Sequence, residues 1–365
     1  MNILILGDLY THVDRILALS EMGHTVVYCY TYFPKSLKKI EGTIPCYPLA
    51  RYSFLEQIHH LVDKYEINVI YSGLHFFDGS LEATIELLDG GITVPIVRHY
   101  KEHRCSPTMK ERRTLMETAG QIYINDESVE YFRDVYGINL WSTHVMDAEL
   151  ISREYMKETL TPKLSRVTGE PHILIAGNIS MANDHQDVRE LCLAMNKHRI
   201  HVHLYGIYHH QDEEHNIFIR PYAPTLQVYK RLADLYPYVH IHDYITPEEF
   251  TQEWSGYDAG FLHVPVPREH YYGRFEQLNM PCRYAAYLAA ALPLAAHEGQ
   301  TAMARFVKKN HLGLVYQSYD ELAEQLHDTQ HMESLTRSVE DKRYNFSFEA
   351  QAPHLIHILS QYARL

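Results

Sequence analysis

Apolar and polar positions along the chain fall into two successive alternating series. Asn2–Gly7 is a short continuous apolar run closed by glycine, as expected for a strand buried on both faces of a parallel sheet. His12–Met22 places Val13, Ile16, Leu17 and Leu19 at helical spacing, and Gly23 stands where a helix stops. Thr25–Tyr30 is apolar and β-branched and predicts the second strand. The alternation predicts helices over Phe54–Tyr65, Leu81–Leu88, Lys110–Thr118 and Ser128–Tyr136. Between them it predicts strands over Asn68–Ser72, Val94–Val97 and Gln121–Ile124. This is the pattern of a doubly wound α/β sheet. Gly7 is followed by Asp8, Leu9 and Tyr10, so the glycine fingerprint of a dinucleotide site is missing.

Residues 152–171 change character, with Pro162, Gly169 and Pro171 among charged and polar neighbours, and read as a linker. A second series follows. Strands are expected over His172–Ala176, His201–Tyr205, Val239–His242, Ala259–His263, Leu294–Ala296 and Leu312–Tyr316. Helices are expected over Val188–Lys197, Gln227–Leu235, Pro247–Trp254, Ala302–Lys309 and Tyr319–Asp328, with a last apolar-faced helix over Pro353–Tyr362. The expected architecture is two tandem Rossmann-like, doubly wound domains: 1–151, then 172–345 after the linker, with 346–365 as a helix returning to the first domain.

The second half centres on Asn279–Gly299. Pro281 opens a helix, Arg283 lies in its first turn, an alanine-rich run follows, and Leu292-Pro293 stops it. A helix start collects backbone N–H groups and positive dipole, which suits a diphosphate. Arg283 adds a cation able to grip two phosphate oxygens. A long loop over 264–280, with Arg268 and Arg274, precedes it.

Composition narrows the classes. The chain has 365 residues, 46% hydrophobic and 22% charged, and a formal net charge of −13. That charge argues against general affinity for nucleic acid or anionic membrane. Five scattered cysteines without metal-ligand spacing suit a reducing cytoplasm. No apolar stretch approaches a membrane span, and no Asp-x-Asp pair stands at a strand end for a divalent metal. The 29 tyrosines suit polar-lined clefts such as sugar sites.

Asn279–Gly299 resembles the donor-site signature of GT-B glycosyltransferases, a Pro-x-Lys/Arg helix ending in Tyr-Leu-Ala-Ala-Gly-Leu-Pro. Tyr257–Phe261, the His240–Glu249 stretch, Leu312–Val315 and Phe346–Glu349 match further pieces in the family's order. The resemblance implies sugar transfer from a nucleotide-diphosphate sugar, based on UDP or GDP, to an acceptor hydroxyl, without metal or other cofactor. It implies donor contacts from Gly177, Asn178, Tyr244, Ile245, Asn279, Arg283, Tyr287 and Glu298. Arg283 would stabilise the leaving diphosphate.

An inverting transfer also needs a base, for which Asp8, His75 and His99 stand after strands of the first domain; His99 is favoured for its titration near neutrality. A retaining transfer needs none. Two departures stand out. Ala286 replaces a glutamate that holds the ribose in many relatives, and Ala291 replaces a glycine, tolerable where φ is negative. A nucleotide-sugar epimerase of the same fold and an inactive nucleotide-sugar-binding protein are the alternative readings.

Overall fold

The computed structural model describes the chain except residues 8–11, 31–36, 73–79, 101–107, 148–149, 182–185, 207–210, 213–216, 219–222, 264–276 and 365. It forms two compact units, Met1–Leu150 with Phe348–Leu365, and Ile151–Ser347. In the first, the strands are β1 (Asn2–Leu6), β2 (Thr25–Tyr30), β3 (Cys46–Pro48), β4 (Val69–Ser72), β5 (Ile96–Tyr100), β6 (Gly120–Tyr123) and β7 (His144–Val145). They build one parallel sheet in the order β3-β2-β1-β4-β5-β6-β7. The chain winds outward from β1 to one edge, returns, and winds to the other. Continuous apolar strands allow this, because both sheet faces are covered. Leu4, Leu6, Val27 and Ile70 pack with Phe54, Ile58 and Leu61 of the helix Phe54–Lys64 in one buried cluster.

The last helix, Phe348–Tyr362, belongs to this first unit. Pattern alone would start it at Pro353, yet it begins five residues earlier and carries the proline inside. A proline there deletes a helical hydrogen bond. Burial offsets that cost: Phe348, Ala352, Leu355, Ile358 and Leu359 are all buried, and each large apolar side chain contributes about 1.5–3 kcal/mol. The Arg15 guanidinium lies 4.8 Å over the Phe348 ring, and Tyr362 donates a hydrogen bond to Ser142.

In the second unit the strands are β8 (His172–Ala176), β9 (His201–Tyr205), β10 (Gln211–Asp212), β11 (Ile217–Phe218), β12 (Val239–His242), β13 (Ala259–Phe261), β14 (Leu294–His297) and β15 (Gly313–Tyr316). All but β10 and β11, which form a small antiparallel ribbon, build a parallel sheet ordered β12-β9-β8-β13-β14-β15. The winding therefore reverses between β8 and β13. Residues 151–171 carry a short 3-10 turn, Arg153–Tyr155, and a helix, Ser165–Thr168. They pack within the second unit, where Thr161 N–H donates to Ser255 and the Ser165 hydroxyl to Asp258.

The alanine-rich helix runs over Arg283–Ala289 and ends in a Schellman cap. Ala291 N–H donates to the Leu288 carbonyl and Leu292 N–H to that of Tyr287. Ala291 thus takes φ +56°, not the negative value its substitution for glycine would favour. The cap geometry decides this, because closing both bonds requires a left-handed residue.

Candidate functional site

In open α/β sheets ligands bind beyond the carboxyl ends of the strands, where the winding reverses. In the second unit that point is the gap between β8 and β13, and Arg283 spans it. One Arg283 Nη donates to the Leu262 carbonyl just after β13 at 2.8 Å. On the other side, a Cβ on Gly177, the residue after β8, would stand 3.3 Å from an Arg283 Nη. Gly177 has φ +96°, so glycine both permits the turn and lets the guanidinium come close. The side chain is half-buried, and its five N–H donors exceed the one given to Leu262.

The remaining donor candidates divide into four groups. Asn178, exposed in the turn after β8, donates to Gln186, and Glu298, exposed after β14, accepts from Gln317. Tyr244 and Ile245 follow β12, with Tyr244 37% exposed, at the same carboxyl edge of the sheet. Asn279 is only 6% exposed, and its Oδ1 is buried without a hydrogen-bond partner among the described residues. A buried, unpaired acceptor costs about 1–3 kcal/mol, a cost that binding sites carry for their ligands.

Tyr287 is different. It is fully buried, its hydroxyl accepts from Ala176 N–H at 2.8 Å and donates to the Phe261 carbonyl at 3.0 Å. Its ring lies where a side chain on Gly260 would stand. Both hydroxyl bonds thus tie β8 to β13, so Tyr287 braces the two strands beside Arg283.

Two contributors were not singled out in the sequence. The Leu262 carbonyl anchors Arg283, and Gly206 packs against Gly177. A backbone acceptor leaves no trace in side-chain pattern. Gly206 stands after a strand exactly as many plain strand-closing glycines do, and only the pairing of β8 with β9 reveals its neighbour.

In the first unit, Asp8 and His75 lie outside the described residues, as do Arg268 and Arg274 of the second. His99 is described, on β5. It is completely buried. Its Nε2 contacts the Met146 carbonyl at 2.7 Å and its Nδ1 the Tyr71 hydroxyl at 2.6 Å, and that hydroxyl accepts from Arg15 at 3.1 Å. A carbonyl only accepts, so Nε2 carries the proton and Nδ1 receives the Tyr71 hydrogen. The expectation of a catalytic base at His99 is corrected by this geometry. Both ring nitrogens are engaged and the ring is fully buried, so none is left for an acceptor hydroxyl.

Among the described residues no group of three or more His, Cys, Asp or Glu is placed to hold a metal ion, and no helix is long and apolar enough to cross a membrane. Residues 212–345 match the family described as Glucosyltransferase 3-like, C-terminal domain. No curated protein matches the sequence. Among solved structures, a glycosyltransferase from Rickettsia africae ESF-5 is similar at 12% identity and TM-score 0.69, covering 99% of this chain and 98% of that one. The Anabaena protein HepE, solved with UDP and glucose, aligns at 14% identity and TM-score 0.66 over 99% of this chain and all of its own. The chain has the GT-B fold. A UDP-GlcNAc 2-epimerase from Neisseria meningitidis, bound to UDP-GlcNAc, shares the GT-B fold at 12% identity and TM-score 0.57, covering 99% of this chain and 100% of that one. Within the GT-B chain the family match takes in Tyr244, Ile245, Asn279, Arg283, Tyr287 and Glu298, while Gly177 and Asn178 precede it.

Proposed function

We propose that the protein transfers a sugar from a nucleotide-diphosphate sugar, with UDP the favoured nucleotide, to an acceptor hydroxyl. The single observation that carries this reading is Arg283 lying at the switch point beside Gly177, inside a segment that matches a glucosyltransferase domain family. That HepE was solved with UDP and glucose supports the choice of UDP.

In the transfer, the bond between the anomeric carbon and the diphosphate oxygen breaks, and a bond to the acceptor oxygen forms as that oxygen loses its proton. Negative charge gathers on the departing diphosphate, and fixed positive charge must meet it. Arg283 supplies that charge as a forked donor held in place by Leu262, and no divalent metal is assigned a part. Asn279 Oδ1 accepts from a donor group of the nucleotide sugar. Tyr244 and Ile245 meet the base, and Gly177, Asn178 and Glu298 line the rest. Asp8 remains the candidate base for an inverting reaction; a retaining reaction leaves the role empty. A cytoplasmic setting fits the cysteine usage.

The test is a screen of nucleotide sugars with detection of both nucleotide and sugar product. Nucleotide release that requires an added acceptor supports the transferase reading. Interconversion of the sugar with no acceptor would replace it with an epimerase.

A further inference from the structure

Five histidines of the second unit form one hydrogen-bonded, stacked lattice across three neighbouring strands. His172 lies on β8, His201 and His203 on β9, and His240 and His242 on β12, with His172 beside His201 and His203 beside His240 in register. Two ladders run through it. In the first, His172 Nδ1 meets His203 Nε2 and His203 Nδ1 meets His242 Nε2, each at 2.8 Å. In the second, His201 Nδ1 meets His240 Nε2 at 2.8 Å. The ladders stack on each other, with ring centroids 4.2 Å apart for His172 and His201 and 4.6 Å for His203 and His240.

Each nitrogen–nitrogen contact has room for one hydrogen. The first ladder has two such contacts and two outer nitrogens, and its three neutral rings already place three hydrogens on those four positions. The second has one contact and two outer nitrogens, and its two neutral rings fill two of three. Each ladder therefore accepts one proton with its bonds intact. Any further proton sets two N–H groups against each other, and stacked charges repel besides.

Among the described residues, the Thr168 hydroxyl meets His172 Nε2 at 2.9 Å. Before β8, the Glu170 carboxylate meets His201 Nε2 at 3.1 Å, but it is also paired with Arg199 and receives the Tyr238 hydroxyl. Tyr205 of β9 stacks on His242 at 4.5 Å and donates to Glu253 of the helix Phe250–Trp254. Tyr257 lies 4.4 Å from His203, and its hydroxyl meets that of Tyr205. Asp258 receives the His172 backbone N–H, Lys163 donates to the Tyr257 carbonyl, and Asp243 adjoins His242. Among the described residues the carboxylates beside these rings are Glu170, Glu253 and Asp243; none of the three is in hydrogen-bond contact with the central ring, His203.

His242 leads directly into Asp243, Tyr244 and Ile245, and Tyr205 leads into Gly206, which supports Gly177. We infer that the five-histidine lattice is the positioning element for the strand ends of the donor site, and that acidification releases them. This rests on the reading of Tyr244, Ile245 and Gly177 as donor contacts. Burial pushes His172 and His240 down to about 4, and His203 further, with the neighbouring rings adding to the effect. A histidine held below its ordinary value of about 6.5 contributes stability that is complete above that value and lost as pH falls toward the lowered one.

The test follows UDP-glucose affinity from about pH 7.5 to about pH 4, since this probe lacks the terminal phosphate that itself ionises near pH ~6. Trp254, which lies 5.7 Å from the Tyr205 ring, reports the lattice once Trp141→Phe removes the only other tryptophan. The expected result is an affinity loss of about tenfold or more, as for one lost hydrogen-bonded contact, with a parallel change in Trp254 emission. His172→Gln, which hydrogen-bonds but removes a ring that takes its proton at the acid end of this range, moves both changes to lower pH. Flat affinity, a loss of affinity with flat Trp254 emission, or an unmoved midpoint in a folded His172→Gln protein would each overturn the inference. If UDP-glucose fails to bind even at about pH 7.5, the donor reading falls instead. The lattice is then judged by Trp254 emission alone: an acid transition supports it and a flat trace ends it.

Discussion

Gly206 sits directly on Gly177: a Cβ at residue 206 would overlap the Gly177 carbonyl oxygen, and Gly206 itself has φ +115°. The two strand ends that shape the site thus touch backbone to backbone. Gly206→Ala adds strain at a φ that side chains avoid and pushes the Gly177 turn toward Arg283. A cost of about 1–3 kcal/mol is expected. The melting temperature and UDP affinity fall together, and a protein that keeps both would show that the turn has room to spare.

Ala291 gives the opposite sign. It holds the left-handed position of a Schellman cap at φ +56° while almost fully buried. An L-residue there carries about 1–2 kcal/mol of strain, and glycine relieves it at some cost in unfolded-chain entropy. Ala291→Gly is therefore expected to stabilise the protein by up to about 1 kcal/mol, a rise of about 2–4 °C for a unit of this size. A drop in melting temperature on calorimetry would contradict the cap as described.

The strands of both sheets were legible because parallel strands buried on two faces leave continuous apolar runs, as in Asn2–Leu6 and His172–Ala176. Cys46–Pro48 and His144–Val145 were not, being edge strands too short to show a pattern. The helix Thr329–Lys342 was obscured by its charge, although Met332, Leu335 and Val339 form a helical stripe. Arg283 could be found because a proline and a small-residue run mark its helix start. Tyr287 and His99 could not be resolved, since their roles depend on which way a ring points. Tyr287 looked like part of the signature and proves to be a brace between β8 and β13.

His99 has a structural expectation. Its ring links Met146, Tyr71 and Arg15 in a buried chain. His99→Ala leaves the Met146 carbonyl and the Tyr71 hydroxyl without that partner, at about 1–3 kcal/mol for each unsatisfied group. The melting temperature falls, while UDP affinity in the second unit is retained. A variant with wild-type melting and turnover lowered by about 10²-fold or more would restore His99 as a base.

Arg283 decides the functional reading. It donates to the Leu262 carbonyl, lies close against Gly177 and is half-exposed. A charge-assisted contact to phosphate is worth about 1.5–3 kcal/mol, so Arg283→Ala is expected to weaken UDP binding about tenfold or more, measured by calorimetry. Arg283→Lys keeps the charge but loses the fork that holds Leu262 and a phosphate at once, and so recovers only part of the affinity. The leaving-group role adds a second expectation: turnover at saturating donor falls in both variants, because charge on the diphosphate is greatest in the transition state. With positive charge supplied by the side chain, chelation of divalent ions by EDTA leaves wild-type turnover unchanged. Loss of activity with EDTA, restored by added Mg²⁺ or Mn²⁺, would assign the leaving group to a metal. Unchanged UDP affinity in Arg283→Ala would remove Arg283 from the site altogether.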